Sequence, residues 1–262
     1  MNLDLAGKHA LVCGGSQGIG RAAAIELAQL GASVTLLSRS REALRGTLAD
    51  LPHVAAAQAH DFLAVDMSDR AALDEKVTAL AREKPVQILI NNTGGPPGGP
   101  AHMANVDEYV IAFNQHLVAN QVVLHAVLPG MRAANYGRVI NVISTSVKEP
   151  IRNLGVSNTI RGAVASWAKT LATELGPLGI TVNNVLPGYT RTRRLDQILG
   201  DRARATGQTE DAIAKTMLAT VPAGRFAEAS EIGAVIAFLA SPAAAYVNGI
   251  NVPVDGGRMQ SL

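Results

Sequence analysis

The chain has 262 residues, of which 48% are hydrophobic and 17% charged, and its formal net charge is +2. Because α/β chains of about 250 residues often form one domain, we expect residues 1–262 to be a single domain. The charge balance gives no reason to expect a nucleic-acid or membrane partner, and no apolar run approaches the roughly 18 residues of a membrane span. The single cysteine, Cys13, excludes an internal disulfide and a cysteine metal cage, so no metal is expected. The first residues lack a secretory signal, which favours a cytoplasmic location.

Short aliphatic runs alternate along the chain with longer segments in which apolar residues recur at helical spacing. Strands are predicted at residues 9–13, 33–38, 62–65, 86–90, 138–143, 180–186 and 250–254. Helices are predicted at residues 19–30, 69–83, 106–134 and 158–175. This alternation predicts an α/β fold of the Rossmann type, a doubly wound, seven-stranded parallel sheet with helices on both faces. Ligands of such sheets bind beyond the carboxyl ends of the strands, so functional residues are expected there.

The first predicted strand runs directly into a glycine-rich turn and then into a helix. Glycine is needed where a backbone turns sharply, approaches a pyrophosphate or packs a helix closely on a strand. The free N–H groups at the start of that helix attract phosphate oxygens. The order of strand, turn and helix therefore predicts a dinucleotide site rather than an ordinary tight turn. The predicted residues of this site are Gly14, Ser16, Gln17, Gly18, Ile19 and Gly20.

The end of the second predicted strand indicates which dinucleotide binds. An NAD site usually has a carboxylate here for the ribose 2′-hydroxyl, whereas this strand ends with Ser38 and Arg39 and is followed by Arg41. A guanidinium group matches the geometry and charge of a 2′-phosphate. NADP(H) is therefore favoured over NAD(H). The alternative is that Arg39 and Arg41 only begin a solvated helix.

Further motifs follow the later strands. They are Asp66-Met67, Asn91-Asn92-Thr93-Gly94, Asn114, Ser144, Pro187-Gly188 with Thr192, and Val254-Asp255-Gly256-Gly257. Together with the glycine turn, and over almost the whole chain, they resemble the short-chain dehydrogenase/reductase family, near the 3-oxoacyl-acyl-carrier-protein reductases. The resemblance implies that Asp66 and Met67 contact the adenine side of the cofactor and that Asn92 and Gly94 also bind it. It further implies that Pro187, Gly188 and Thr192 hold the nicotinamide carboxamide. Ser144 and Asn114 are then catalytic.

The resemblance breaks at the family's Tyr-xxx-Lys pair, where this chain has Ser157 and Arg161. In the family, the tyrosine gives or takes the hydroxyl proton while hydride moves, and the lysine cation lowers its pKa from near 10. A serine hydroxyl is a far weaker acid, and an arginine with a pKa above about 12 stays charged and relays no proton. Arg161 still donates hydrogen bonds to the cofactor ribose, so cofactor binding is expected to survive better than catalysis.

Other side chains are candidates for the missing proton donor. They are Tyr189 beside the predicted nicotinamide, Lys148 in the loop after Ser144, His102 after the glycine/proline cluster 94–100, and His116 on the predicted helix 106–134. The alternatives are loop packing for Tyr189, a solvated charge for Lys148 and satisfied polar groups for both histidines. Ser144 itself is expected to bond a substrate carbonyl oxygen, with Ser146 as the nearby alternative. The other interpretation is that the Ser144 hydroxyl only bonds the local backbone at the strand end.

Residues 191–217 interrupt the alternation after the sixth predicted strand and are expected to cap the substrate site. Five arginines and two aspartates fall within residues 191–208. This excess favours either an anionic substrate, such as a carboxylate or an acyl-thioester carrier, or a solvated helical face. The resemblance also implies a homotetramer or homodimer, with the helices 106–134 and 158–175 at a subunit interface.

Two functions remain open at this point. The first is an NADP(H)-dependent oxidoreductase that reduces a small carbonyl substrate, for example a 3-oxoacyl compound, or oxidises the alcohol, with an atypical proton donor. The second is a catalytically impaired NADP(H)-binding sensor or oligomer partner. Retention of Ser144 and Thr192 favours the enzyme, whereas the loss of both tyrosine and lysine favours the sensor.

Overall fold

The computed structural model describes residues 1–261, which form one parallel sheet with helices on both faces. The strands are β1 (His9–Cys13), β2 (Ser33–Ser38), β3 (Asp61–Ala64), β4 (Ile88–Asn91), β5 (Gly137–Val142), β6 (Ile180–Pro187) and β7 (Asn251–Val254). The α-helices are α1 (Gly18–Gln29), α2 (Arg41–Ala49), α3 (Arg70–Glu83), α4 (Val106–Phe113), α5 (Ala119–Ala133), α6 (Gly155–Leu175), α7 (Arg193–Thr206), α8 (Glu210–Leu218) and α9 (Ala229–Ala240). None of the helices within residues 1–261 is both long enough and apolar enough to cross a membrane.

The strand order of the sheet is β3-β2-β1-β4-β5-β6-β7, and every neighbouring pair is parallel. The chain winds outward from β1 in one direction and from β4 in the other, so the order reverses between these two strands. The carboxyl ends of β1 and β4 therefore border the crevice where ligands of doubly wound sheets bind. The predicted fold is confirmed.

Two apolar layers hold the sheet in place. On one face, Leu27 of α1 and Ile236 of α9 pack with strand residues such as Val34. On the other face, Val77 of α3 and Val123 of α5 belong to a second cluster that also contains residues of α6. Because both faces are covered, the inner strands are apolar on both sides, which is why they appear as continuous hydrophobic runs in the sequence.

The structure corrects several of the predicted elements. Helices α2 and α9 were not predicted, and the capping segment 191–217 consists mainly of the two helices α7 and α8. The predicted helix 106–134 is divided by a π-helical turn, Asn114–Val118, which separates α4 from α5. Because π-helical turns are rare and occur mostly as single turns inside α-helices, a prediction of helix from apolar spacing does not anticipate this one. The predicted helix 158–175 begins three residues earlier, at Gly155.

Candidate active site

The glycine turn between β1 and α1 leaves no room for a side chain at Gly14 or at Gly20. Gly14 and Gly18 have positive φ angles of 62° and 55°. A Cβ on Gly14 would lie 2.4 Å from the Asn92 carbonyl oxygen, and one on Gly20 would lie 2.2 Å from the Gly14 oxygen. The N-cap residue of α1, Gln17, makes no side-chain cap, and the first turn contains no acidic residue. The turn therefore presents uncapped N–H groups and fits the pyrophosphate of a dinucleotide.

The end of β2 places a buried hydroxyl and an exposed guanidinium next to each other in the chain. Ser38 Oγ is buried and has no hydrogen-bond partner among residues 1–261. The Arg39 side chain is 80% exposed, and its Nη1 lies 3.9 Å from Asp66 Oδ2. Hydrogen bonds from Ser68, and more weakly Arg39, hold the pKa of Asp66 below its usual range. The exposed Arg39 guanidinium fits a phosphorylated ribose.

Residues from the distant end of the chain close the other side of the crevice. Thr192 lies against the glycine turn, because a Cβ on Gly18 would be 3.2 Å from its Cγ2. Gly188 packs on the end of β7, where a Cβ would meet Asp255 Cα at 2.6 Å. The structure thus brings Gly18, Thr192 and Asn92, which are far apart in the sequence, to one crevice. The other predicted cofactor residues lie in the glycine turn and the first turn of α1, after β4, on α6 and at the end of β6. They are Ser16, Gln17, Ile19, Gly94, Arg161 and Pro187. Met67 packs partly buried at the edge of the second apolar cluster.

Ser144 lies two residues after the end of β5. Its Oγ accepts a hydrogen bond of 3.1 Å from the Ser146 backbone N–H. This bond uses the oxygen as an acceptor, so the hydroxyl hydrogen remains available to donate to a ligand. Ser146 Oγ is instead buried and has no partner within the described residues. The half-buried Ser144 is therefore better placed than Ser146 to bond a ligand from the crevice.

Arg161 links the ends of two strands from its position on α6. Its Nη1 donates to the Val142 carbonyl at 3.0 Å and its Nη2 to the Thr93 carbonyl at 3.3 Å. Burial, together with the nearby Arg194 cation, lowers the pKa of Arg161 to about 10. The pKa of Arg161 is thus lower than that of an ordinary arginine, but the side chain stays cationic at neutral pH, as expected. Ser157 lies one helical turn earlier and is half-buried.

His116 is not available as a proton donor at neutral pH. It is 1% exposed, its Nδ1 shares a hydrogen bond with Thr93 Oγ1, and its Nε2 has no partner among residues 1–261. Burial, and secondarily the Arg161 cation, lowers the pKa of His116 to about 3. The imidazole is therefore neutral. Asn114 begins the same π turn, and its carbonyl accepts the Ala119 N–H.

The remaining donor candidates lie in different surroundings. Tyr189 packs edge-on against Phe226, with ring centroids 6.2 Å apart, and the Arg258 guanidinium lies 4.6 Å from the centre of its ring. Tyr189 also joins the apolar cluster of the capping segment. His102 is exposed in a short turn before α4, and Lys148 is half-buried after Ser144. The packing alternative for Tyr189 is thus supported.

The capping segment contacts both walls of the crevice. Arg193 Nη1 lies 3.4 Å from Gln17 Oε1 in the glycine turn, and Arg194 Nη2 donates to the Pro96 carbonyl at 3.0 Å. Two other arginines of this segment pair with acids: Arg191 with Glu228 and Arg204 with Asp201. The arginines of the capping segment therefore do not form a single solvated helical face. Within residues 1–261, no cluster of three or more His, Cys, Asp or Glu side chains could hold a metal ion.

Comparison with known proteins identifies the family. The family model described as enoyl-(acyl carrier protein) reductase matches residues 14–258. The chain is 29% identical over 258 residues to the NADPH-dependent reductase BacG of Bacillus subtilis, covering 97% of this chain and 99% of that protein. It is 34% identical over 261 residues to the 3-oxoacyl-[acyl-carrier-protein] reductase FabG of Pseudomonas aeruginosa, covering 99% and 100%. The chain belongs to the short-chain dehydrogenase/reductase family.

A solved structure gives the same result for the fold. L-Sorbose reductase from Gluconobacter frateurii, complexed with NADPH and L-sorbose, superposes with a TM-score of 0.92 at 26% identity. The superposition covers 100% of both chains. The family and the Rossmann-type fold predicted from the motifs are both confirmed.

Sequence reasoning missed several polar contacts around the site. The hydrogen bond of Thr93 with His116 and the contact of Arg194 with Pro96 both join segments far apart in the chain. A ladder of asparagine side chains also crosses four neighbouring strands, and it consists of Asn91, Asn141, Asn184 and Asn251. Three of these asparagines lie within predicted strands, where a polar residue among apolar ones was an available signal.

Proposed function

We propose that this protein is an NADP(H)-dependent oxidoreductase that reduces a carbonyl group of a small molecule by hydride transfer. The observation that supports this most directly is the pairing of the uncapped glycine turn with the exposed Arg39 guanidinium at the end of β2. Phosphate-binding N–H groups and a guanidinium at the ribose position match a dinucleotide with a 2′-phosphate. Two similar proteins, BacG and L-sorbose reductase, are named with NADPH. We extend that cofactor to this chain.

The residues of the crevice have separate roles in the proposed reaction. When bound, NADPH supplies the hydride. Ser144 Oγ donates a hydrogen bond to the carbonyl oxygen and stabilises the negative charge that develops there. Arg161 adds a fixed positive charge at the same edge of the sheet, since it stays protonated at neutral pH. Asn114 fixes the π turn that places His116 beside Thr93.

The source of the proton is the atypical feature of the proposed reaction. Neither Ser157 nor the neutral His116 is an acid of useful strength at neutral pH. Because serine is much smaller than tyrosine, the half-buried Ser157 leaves space for solvent at the position of the family's phenol. We therefore assign proton delivery to a chain of water molecules that is hydrogen-bonded to Ser157 Oγ and relays a proton from bulk solvent to the alkoxide oxygen formed by hydride transfer. Tyr189 is the alternative donor and requires its ring to leave the packing against Phe226.

Turnover is tested with NADPH and a panel of ketones and 3-oxoacyl thioesters, by the loss of nicotinamide absorbance. We expect measurable reduction of at least one class. The double variant Ser157→Tyr/Arg161→Lys is expected to raise its rate by about a hundredfold, because a positioned acid typically contributes that much. Ser144→Ala is expected to lower kcat far more than its matched control Ser146→Ala. Equal effects of these two variants would contradict the role of Ser144.

The second candidate function is NADP(H) binding without turnover, as a sensor or as a partner in an oligomer. It is favoured by the replacement of both the family tyrosine and lysine and by the neutrality of His116. Tight NADPH binding without oxidation by any carbonyl of the panel, in wild type and double variant alike, would support this function. The same result would overturn the proposed function as an oxidoreductase.

We further propose that the protein forms a homotetramer in the cytoplasm and that residues 191–217 cap the substrate. The support for an interface is an apolar stripe on and before α4. Its exposed residues are Met103, Val106, Val110, Ile111 and Phe113. A patch of this kind on a water-exposed helix is typical of a protein interface. The support for the cap is the contact of Arg193 and Arg194 with opposite walls of the crevice.

A further inference from the structure

Two guanidinium groups converge on Gly95, in the loop that follows β4. A Cβ built on Gly95 would lie 3.7 Å from Arg194 Nη2 and 3.9 Å from Arg161 Nη2. Arg161 comes from α6 and Arg194 from the first turn of α7, so two separate elements bring positive charge to one point. That point lies at the carboxyl end of β4, beside the crevice described above.

Neither of these cations has a counter-ion within residues 1–261. The ion pairs there involve other arginines and lysines. The guanidinium groups of Arg161 and Arg194 donate instead to backbone carbonyls of the chain. Arg161 is only 7% exposed. A buried cation without a charged partner is costly, and a second cation nearby increases the cost. Such an arrangement is typical of a site whose ligand supplies the missing negative charge.

The guanidinium groups retain donors for such a ligand. Each arginine has five N–H donors in a planar fork. Two donors of Arg161 and one of Arg194 are occupied by the carbonyls of Val142, Thr93 and Pro96. The remaining donors match the two oxygens of a carboxylate or the oxygens of a phosphate. Gly95 has no side chain to fill the space between them.

We propose that Arg161 and Arg194 bind an anionic group of the substrate, a carboxylate or a phosphate, next to Gly95. This inference rests on the proposed function and names the substrate class, a carbonyl compound that also bears an acidic group. The cofactor is the other source of an anion. Its pyrophosphate is expected at the glycine turn, and the arginine that reaches that turn is Arg193, by its contact with Gln17. The position of Arg194 at Pro96 therefore favours the substrate.

The test compares two probes that differ only in charge, phenylglyoxylate and its methyl ester. Calorimetric titrations are made with the full-length protein saturated with NADP⁺, which has no hydride to transfer. We expect the acid to bind about tenfold more tightly than the ester to wild type, the effect of one charge-assisted hydrogen-bonded pair. Arg194→Gln is expected to abolish this difference while the dissociation constant of NADP⁺ changes less than about twofold. The matched control Arg193→Gln, one residue away, is expected to keep the preference for the acid.

Three results would overturn the inference. The first is that wild type binds the acid and the ester equally tightly. The second is that protein with NADP⁺ bound binds neither probe. The third is that the Arg194→Gln variant loses affinity for NADP⁺ instead of affinity for the acid. The last result would assign the anion to the cofactor. Failure of wild type to bind NADP⁺ would overturn the proposed function itself, and this inference with it.

A second variant keeps the test independent of probe size. Gly95→Asp places an internal carboxylate between the two guanidinium groups, whereas Gly95→Asn has the same shape without the charge. We expect the aspartate variant to have a higher melting temperature than the asparagine variant and to bind the acid probe at least tenfold less tightly than wild type. Equal melting temperatures of the two variants would contradict a charge-deficient site.

Discussion

At the scale of single residues, Arg39 is the group that decides between the two nicotinamide cofactors. Its guanidinium is exposed beside the Ser38 hydroxyl at the end of β2. We expect NADPH to bind at least about tenfold more tightly than NADH, because one charge-assisted pair with the 2′-phosphate is worth that much. Arg39→Asp is expected to reverse the preference, since a carboxylate repels the phosphate and accepts a bond from the ribose hydroxyl. Nicotinamide fluorescence titrations measure both affinities.

Arg45, exposed one helical turn beyond the N-terminus of α2, provides the control for that substitution. Arg45→Asp makes the same charge change and is expected to leave the ratio of NADPH to NADH affinity within about threefold of wild type. Equal affinities of wild type for the two cofactors would contradict the role assigned to Arg39.

His116 makes stability depend on pH through its burial. Its pKa is about 3 in the folded protein, whereas an unfolded imidazole takes up a proton near pH 6.5. Between these values the unfolded state binds more protons, so the free energy of unfolding rises with pH. This contribution is fully present above about pH 6.5 and is lost as the pH falls toward 3, by at most about 1.4 kcal/mol per pH unit.

The measurement is urea unfolding at several pH values between about 5 and 7, above the range where carboxylates titrate. Burial also lowers the pKa of His9 and His60, so the difference between wild type and variant isolates His116. His116→Gln is expected to flatten the pH dependence. A His116→Gln variant with the wild-type slope would contradict a buried neutral imidazole.

At the scale of secondary-structure elements, an amide ladder joins the four strands whose ends border the site. Asn91 Nδ2 donates to Asn141 Oδ1 at 2.8 Å, Asn141 Nδ2 to Asn184 Oδ1 at 2.9 Å, and Asn184 Nδ2 to Asn251 Oδ1 at 2.8 Å. These bonds follow the register of β4, β5, β6 and β7. Asn92 directly follows Asn91, the first residue of the ladder. The ladder therefore holds in place the strand ends that the site residues follow.

Replacement of Asn141 tests the ladder. Asn141 is fully buried and makes two of the bonds, so Asn141→Ala leaves an unpaired amide on each side. We expect a loss of about 2–4 kcal/mol in the free energy of unfolding. Asn251→Ala removes one bond at the half-buried end of the ladder and is expected to cost about 1 kcal/mol. Chemical denaturation measures both values, and equal losses would show that the ladder does not act as a unit.

The elements that were predicted correctly are those with a strong periodic signal. Strands such as β1 and β2 are continuous apolar runs between turn residues, and their bounds agree with the prediction. Helix α2 was missed because only Leu44 and Thr47 are buried on it, too few for a recognisable apolar stripe. Helix α9 was missed because its N-cap is Glu228, whose capping box with Glu231 is not the usual serine, threonine or aspartate signal.

The residues of the candidate site also fall into those that could be predicted from the sequence and those that could not. The glycine turn and Arg39 were predictable because their chemistry depends on residues that are neighbours in sequence. The surroundings of Arg161 were not, because its burial and the nearby Arg194 cation arise only when α6, α7 and the loop after β4 come together. The amino-acid sequence supplies the functional groups, whereas their charge states and hydrogen-bond partners follow from tertiary packing.

At the scale of the whole molecule, the apolar stripe of α4 predicts assembly. Val106, Val110 and Phe113 recur at helical spacing, and their exposed fractions are 78%, 52% and 40%. Continuous exposure of such side chains to water is unfavourable, at roughly 25 cal/mol for each Å² of apolar surface, and a second copy of the chain removes it. We therefore expect the wild-type protein to be larger in solution than its 27.2 kDa chain, and about four times as large for the homotetramer proposed above.

Val110→Asp tests this assembly, because it places a charge in the middle of the stripe. We expect light scattering to show a species smaller than the wild-type one at micromolar concentration, since an unpaired carboxylate is costly to bury at an interface. Val54→Asp is the matched control: Val54 is 58% exposed and lies outside the stripe, so this variant is expected to keep the wild-type mass. A monomeric wild type, or the same mass for all three proteins, would place the α4 stripe outside any subunit interface. Binding of NADPH by the smaller species would show that each chain holds its cofactor independently.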